Sequence, residues 1–212
     1  MNVLTKVFRG DQVRPTRLHT EAGEYCGIAA IPDAIFAAWS WTRQKLTGRY
    51  SVEPWWVYQA IEEVESTLRS TDKVLEVGGG FSTLWLGKRC HSVCSIEESN
   101  AWADIVANQA RDLHISNVEM LSGDSRTLFS REMLAGDWDI VVIDGPRDRF
   151  KIFADLLASS KRPRLIIYDD TDKTENRAAL MMSIPHYEIK TYRGFKPQTL
   201  HACETTVFLY QA

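Results

Sequence analysis

The sequence predicts an α/β fold: a doubly wound, mostly parallel sheet with a reversed terminal strand, preceded by a short helical extension. Three observations predict it. Five apolar, β-branched runs alternate with helix-period segments, the pattern of strand–helix–strand crossovers. Four of these runs end directly in an acid or in Gly-Asp, which lines carboxylates along one edge of the sheet. Two further strand-like runs, residues 187–192 and 204–210, are joined by a polar loop with no room for a crossover helix, so they must pair antiparallel.

The elements follow in order. Residues 1–24 are polar, with Arg9-Gly-Asp and Arg14-Pro, and read as loop or edge structure. Residues 31–46 read as a helix closed by Gly48. Residues 54–68 read as an amphipathic helix with Pro54 in its first turn and Val57, Ile61, Val64 and Leu68 on one face. Trp39, Trp41, Trp55 and Trp56 concentrate in this region. Most of them read as anchors of the extension to the sheet, with an aromatic cap over a ligand pocket as the sharper alternative.

The first strand leads into Lys73-Val-Leu-Glu-Val-Gly-Gly-Gly-Phe-Ser-Thr83. Glu76 precedes Gly78, Gly79 and Gly80, and Ser82 and Thr83 open a helix running to residue 89. Glycines there let the chain turn sharply and let a ligand approach the backbone, while the helix's first N–H groups suit an anionic or strongly polar ligand. A nicotinamide-type G-x-G-x-x-G would need its third glycine where Thr83 stands.

The second strand, residues 91–97, ends in Glu97, placed to accept hydrogen bonds from ribose hydroxyls. Alternation along the strand allows only one of Glu97 and Glu98 into a site, and Glu97 is the choice. The third strand ends at Gly123-Asp124, with Asp124 also suited to cap the helix beginning at Ser125. The fourth, residues 138–143, is the most apolar and fits a central strand covered on both faces. It ends in the charged turn Asp144-Gly-Pro-Arg-Asp-Arg. The fifth ends in Tyr168-Asp-Asp-Thr, with the acids Asp169 and Asp170. Helices are expected over residues 100–113, 150–159 and 173–183.

Bulk properties narrow the function. At 212 residues the chain is one domain plus an extension: 1–50 as an N-terminal extension or cap, and 51–212 as the main domain. The net charge of -3 argues against a general nucleic-acid binder. Residues 1–50 nevertheless carry seven Lys/Arg against four Asp/Glu. That asymmetry fits either a solvated face, the preferred reading, or an acidic substrate near the N-terminal segment. Cys26, Cys90, Cys94 and Cys203 show no C-x-x-C metal spacing and read as reduced thiols, Cys90 and Cys94 as small apolar core residues. No signal peptide is evident and no apolar run would span a bilayer, so the expectation is a cytoplasmic protein without a membrane partner. A homodimer is left open.

From about Pro54 to the end the chain resembles small bacterial class I S-adenosylmethionine (SAM)-dependent methyltransferases. The likeness rests on Pro54, Trp55, Tyr58, Ala60 and Ile61, then on Glu76, Gly78, Gly80 and residues 82–86. It implies a Rossmann-like sheet and SAM as cofactor, with contacts from Glu76, Gly78, Gly79, Gly80, Ser82, Thr83, Glu97, Asp124, Ser125 and Asp144. Members of that kind read S-[IV]-E where Ser95-Ile-Glu97 stands, and the family's residue at Asp124 often bonds the adenine amino group. The Y-D-D-T of residues 168–171 is similar to the Y-D-N-T of metal-dependent catechol and caffeoyl-CoA O-methyltransferases and to paired acids in macrolide-sugar enzymes. That likeness implies Asp144, Asp169 and Asp170 as ligands of Mg²⁺, a cation that takes oxygen donors. The Asp144-Gly-Pro turn departs from the metal-dependent pattern, and Arg147 and Arg149 offer the alternative compensation for three crowded carboxylates.

The expected function is methyl transfer to a hydroxyl, less readily an amine, of a small molecule or sugar. Asp144 is the candidate base, Asp169 and Asp170 are ligands or acceptor anchors, and Tyr168 and His201 are reserves. The second class is a non-catalytic SAM-binding scaffold. An aminopropyltransferase would read G-G-G-D-G, but Phe81-Ser82 follows Gly80 here. A base-flipping nucleic-acid enzyme would carry N-P-P-[YF] or D-P-P-[YF] after the fourth strand, and Asp144-Gly-Pro-Arg is neither.

Overall fold

The structure, a computed structural model, describes residues 9–48, 50–145, 147–182 and 184–211. Residues 1–8 of the expected N-terminal loop, Pro146 of the turn after the fourth strand and Ser183 of the last expected helix lie outside them.

Among the described residues, seven strands form one sheet: β1 (Lys73–Val77), β2 (Ser92–Glu97), β3 (Val118–Ser122), β4 (Ile140–Ile143), β5 (Leu165–Asp169), β6 (Tyr187–Gly194) and β7 (Cys203–Tyr210). Their order is β3-β2-β1-β4-β5-β7-β6. The first five pair parallel, and β7 runs antiparallel to both β5 and β6. The helices are α1 (Ile31–Thr47), α2 (Tyr58–Thr67), α3 (Phe81–Gly87), α4 (Asn100–Asp112), α5 (Ser125–Ala135), α6 (Arg149–Ala158) and the short α7 (Thr174–Arg177).

The register explains why β4 reads as a continuous apolar run. Val74 pairs with Ile140 and Leu75 with Val141, so alternate residues of adjacent strands fall on the same face. Val74, Ile140, Val142, Leu165 and Ile167 pack beneath Trp56, Ile61 and Val64. Leu75, Val141, Ile143, Ile166 and Tyr168 pack on the other face against Phe129, Ile152 and Phe153. Both faces are covered, so every residue of β4 is buried.

Three sequence expectations change. The helix anticipated from Pro54 begins only at Tyr58. The Val57 amide donates to Thr205 Oγ1 on β7 (3.1 Å) and the Tyr58 amide to the Phe195 carbonyl (3.1 Å), so the preceding residues are tied to the sheet and loop. The helix expected over 173–183 contracts to α7 and a 3₁₀ turn, Ala178–Met181. Of the four tryptophans, only Trp56 is fully buried; Trp39 and Trp55 are 62% and 44% exposed. Trp41 is half-buried, with Lys45 over its ring.

The N-terminal segment is held by the loop between β6 and β7. Ala30 and Ala37 cluster with Phe195. The Gln198 amide donates to Ser40 Oγ (2.8 Å), and the Ala202 amide to the Arg17 carbonyl (2.8 Å).

Candidate active site

The strand order turns back between β1 and β4, one on each side of the point where a doubly wound sheet opens a crevice at its carboxyl end. Gly78 is what lets the loops after β1 and β4 meet. Its φ is +96°, and a Cβ there would stand 2.5 Å from the Asp144 carbonyl carbon and the Gly145 nitrogen. The loops enclose a cavity of about 460 Å³, lined by Gly78, Gly79, Gly80, Phe81, Ser82, Glu97 and Trp102 from the β1–β2 half of the sheet, with Trp55 beside them. Asp144, Arg149, Asp169, Asp170, Lys173 and Lys196 line the remainder, together with Arg14, Thr199, His201 and Cys203.

The glycine turn is braced from below. The Gly80 amide donates to Thr83 Oγ1 (2.9 Å), and Thr83 Oγ1 in turn donates to Glu76 Oε2. Ser95 Oγ donates to the same oxygen (2.7 Å). Glu76 is fully buried, and burial pushes its carboxyl above the ordinary range. Its Oε1 has no hydrogen-bond partner among the described residues. Glu76 and Thr83 therefore support the turn from behind rather than line the cavity. Glu97 does line it: Oε1 accepts the Ser99 amide (2.9 Å), and burial raises its pKa. Glu98 is not among the lining residues. Trp102 donates from Nε1 to the Gly79 carbonyl (2.8 Å), closing the turn from α4.

Three expected residues stand elsewhere. Asp124 is an exposed N-cap of α5, accepting the Thr127 amide (2.8 Å), and does not line the cavity. Ser125 is buried, with no hydrogen-bond partner for its Oγ among the described residues, also outside the lining. Tyr168 is a core residue, stacked on Phe153 with centroids 5.2 Å apart, and is removed from the catalytic reserve.

The three acids do converge, because β4 and β5 are parallel neighbours. What neutralises them is basic side chains. Lys196, 4% exposed, places Nζ 2.5 Å from Asp169 Oδ2 and in contact with Asp170 Oδ1. Arg149 reaches Asp144 Oδ1 (3.3 Å) and Asp170 Oδ2 (3.1 Å), and it donates to the Asp169 carbonyl (2.8 Å). Lys173 adds a contact to Asp170 (2.6 Å), and Thr205 Oγ1 donates to Asp169 Oδ1 (2.6 Å). Three cations thus face three carboxylates. Arg147, the other proposed counter-charge, lines a separate cavity.

The Mg²⁺ expectation is corrected on this donor set. A dication bridging Asp169 and Asp170 would have to displace the Lys196 ammonium from both, and among the described residues no group of three or more acid, His or Cys side chains is arranged to hold a metal. The pKa values follow the same geometry. Burial, then the Asp169 carboxylate, push Asp144 well above the carboxylate range. Burial opposes the charge of Asp170, but Lys196, Arg149 and Lys173 outweigh it and hold that carboxyl far below its usual value. Lys196 is likewise penalised by burial, yet Asp169 and Asp170 keep it protonated.

No family model matches the chain, and no curated protein matches it by sequence. Solved structures match the fold. The O-methyltransferase TomG from Streptomyces achromogenes, involved in tomaymycin synthesis and solved in complex with SAM, is 14% identical with a TM-score of 0.63, covering 88% of this chain and 97% of that one. The O-methyltransferase from Bacillus cereus in complex with S-adenosylhomocysteine (SAH) is 14% identical with a TM-score of 0.61, covering 82% and 98%. The chain has a methyltransferase fold. An rRNA methylase from Streptococcus thermophilus also matches, at 11% identity and a TM-score of 0.57, covering 73% of this chain and 96% of that one. The methyltransferase fold therefore leaves the acceptor open, and the choice passes to the residues at the cavity. No helix among the described residues is long and apolar enough to cross a membrane.

Lys196, Lys173, Arg14 and Trp102 line this cavity without having been singled out as site residues from sequence, and Trp55, one of the four tryptophans read as an anchor or a pocket cap, lines it as well. The one sequence signal for Lys196 is a lysine between Phe195 and Pro197, in a loop that must return over the strand ends.

Proposed function

We propose that the protein transfers a methyl group from SAM to a hydroxyl oxygen of a small molecule or sugar. The reading rests on one juxtaposition: a glycine turn and Glu97 opening on the same cavity as Asp144, whose carboxyl is raised toward a pKa useful for proton transfer. The turn fits the cofactor. Gly80 leaves open space where a Cβ would stand, with Trp102 Nε1 the nearest atom at 3.9 Å, so a ligand can approach the backbone closely. Bound there, SAM supplies an electrophilic sulfonium methyl. The chain's own part is alignment and proton handling. Glu97 accepts the ribose hydroxyls. Asp144, held by Arg149 at Oδ1, takes the acceptor's hydroxyl proton at Oδ2. Lys196 engages two carboxylates and keeps a third N–H for the acceptor oxygen, lowering its pKa. Residues 1–50 act as a cap over this acceptor side, and 51–212 as the SAM-binding domain.

Calorimetry with SAH tests cofactor binding: the parent binds, NAD does not compete, and Glu97→Ala loses about 1–3 kcal/mol because the ribose hydroxyls lose their acceptor. Equal affinity in parent and variant would overturn the ribose assignment. A panel of hydroxylated acceptors then separates an enzyme from a scaffold, which would bind SAH and methylate nothing.

Asp144→Asn is expected to lower turnover about 10²–10⁴-fold while leaving SAH affinity unchanged. In the parent, EDTA should not affect turnover. Asp144 works deprotonated, so parent activity should rise with pH through its raised pKa. Full activity in Asp144→Asn would move the chemistry elsewhere, with His201 next in line.

A further inference from the structure

A second, smaller cavity of about 180 Å³ adjoins the first, lined by Arg9, Asp11, Arg14, Arg17 and His201 with Gly10 and Leu200. Arg14 and His201 line both cavities, so the two share a wall. The small cavity's lining is strongly basic: three guanidiniums against one carboxylate. That carboxylate is already engaged. Asp11 Oδ1 accepts the Val13 and Arg14 amides (2.9 and 2.7 Å), and Oδ2 pairs with Arg14 (2.8 Å), which together lower its pKa to about 2. Arg14, 9% exposed, is further fixed by Glu21 (3.2 Å) and the Ala202 carbonyl (3.4 Å). Arg17 donates from one terminal nitrogen to the Leu200 carbonyl (3.0 Å), while its Nε is buried with no hydrogen-bond partner among the described residues. A buried guanidinium N–H left unpaired is costly, and a bidentate oxyanion is its natural complement.

We propose that the methyl acceptor carries an anionic group, a phosphate or a carboxylate, that docks among Arg9, Arg14 and Arg17 while its hydroxyl lies beside Asp144 and Lys196. The proposal rests on the methyltransferase reading and narrows its substrate class. It also gives a role to the positive balance of residues 1–50. Three of these basic residues, Arg9, Arg14 and Arg17, line the small cavity, and Arg14 also lines the large one. A sugar or small molecule with a phosphate or carboxylate beyond its reacting hydroxyl would span both cavities. Guanidiniums suit either group, since both present two oxygens in a fork-matching plane.

The test uses the full chain saturated with SAH, titrated calorimetrically with inorganic phosphate and, separately, acetate, with sodium chloride holding ionic strength constant. Saturable anion binding is expected, weakened about tenfold in Arg17→Gln, as for loss of a charged hydrogen-bond partner, with SAH affinity unchanged. Arg9→Gln provides a second variant, which spares the Leu200 tie should Arg17→Gln fold poorly. Tighter phosphate than acetate binding assigns a phosphorylated acceptor, and the reverse a carboxylated one. In turnover, the anionic member of each matched acceptor pair should show the lower KM in the parent and lose that advantage in the variants. The proposal is overturned if neither anion binds saturably, or if binding persists undiminished in both variants; the arginines then serve only to tie the N-terminal segment to residues 200–202. Failure to bind SAH at all would instead sink the methyltransferase reading itself.

Discussion

Replacing Lys196 by methionine is expected to abolish methyl transfer and to cost about 3–5 kcal/mol of stability, the scale for removing one partner of a buried ion pair. Methionine keeps much of the side chain's volume and removes only the charge and its hydrogen bonds. Asp170 would retain Arg149 and Lys173, but Asp169, 2% exposed, would keep only the Thr205 hydrogen bond and the field of Arg149 against its charge. The deficit should depend on pH in a definite direction. Asp169 already has a pKa raised by burial, and losing Lys196 raises it further. The variant's folded state therefore binds a proton more readily than its unfolded state. Stability lost at neutral pH should be partly recovered as pH falls through the raised value. Urea denaturation of parent and variant at neutral and mildly acidic pH reads both effects. A variant within about 1 kcal/mol of the parent throughout would show that the ammonium compensates nothing. A companion measurement is the effect of Mg²⁺ on melting: the parent should not respond, whereas the variant, with two carboxylates uncovered, should be stabilised.

Gly78→Ala should be the most damaging single-methyl change in the cofactor half. The left-handed φ alone costs about 1–3 kcal/mol for a residue with a Cβ. The methyl would also meet the Asp144 and Gly145 backbone at 2.5 Å, where no flexible side chain can yield. The loops after β1 and β4 must then separate, so SAH affinity and melting temperature should fall together. Gly80→Ala is the control. Its backbone is extended (φ -171°) and its Cβ site is open, so the fold should survive while the added methyl obstructs the ligand. Calorimetry and thermal melting on the two variants check the contrast. Retention of parent-like SAH binding by Gly78→Ala would remove the glycine turn from the site.

The sheet was legible because its central strands are buried on both faces, which forces unbroken β-branched runs such as Ile140–Ile143. Glu97 and Asp144 were legible because a carboxylate at a strand's carboxyl end has a position fixed by topology. Partners supplied from far along the chain were not. Lys196 reaches Asp169 across 27 residues, through a loop whose path is set by antiparallel pairing of β6 with β7. A local reading of Tyr168-Asp-Asp-Thr found the acids and left a metal or neighbouring arginines as their compensation, having no means to see the Lys196 ammonium already between them. Tyr168 was misplaced for a related reason: alternation put the phenol into the core against Phe153. Asp124 takes the capping role the sequence offered it, on α5. The start of α2 was misread because Thr205 and Phe195 claim the amides of Val57 and Tyr58.

The loop joining β6 to β7 is the fulcrum of the molecule. Within eight residues it grips α1 through Phe195 and the Gln198 amide, receives the first amide of α2 on the Phe195 carbonyl, binds Arg17 through Leu200 and Ala202, and carries Lys196. None of these ties touches the glycine turn or Glu97. On the proposed methyltransferase reading, sequence change in α1 or the N-terminal segment would act on the acceptor half through this loop, so the choice of acceptor could shift through residues that contact neither substrate.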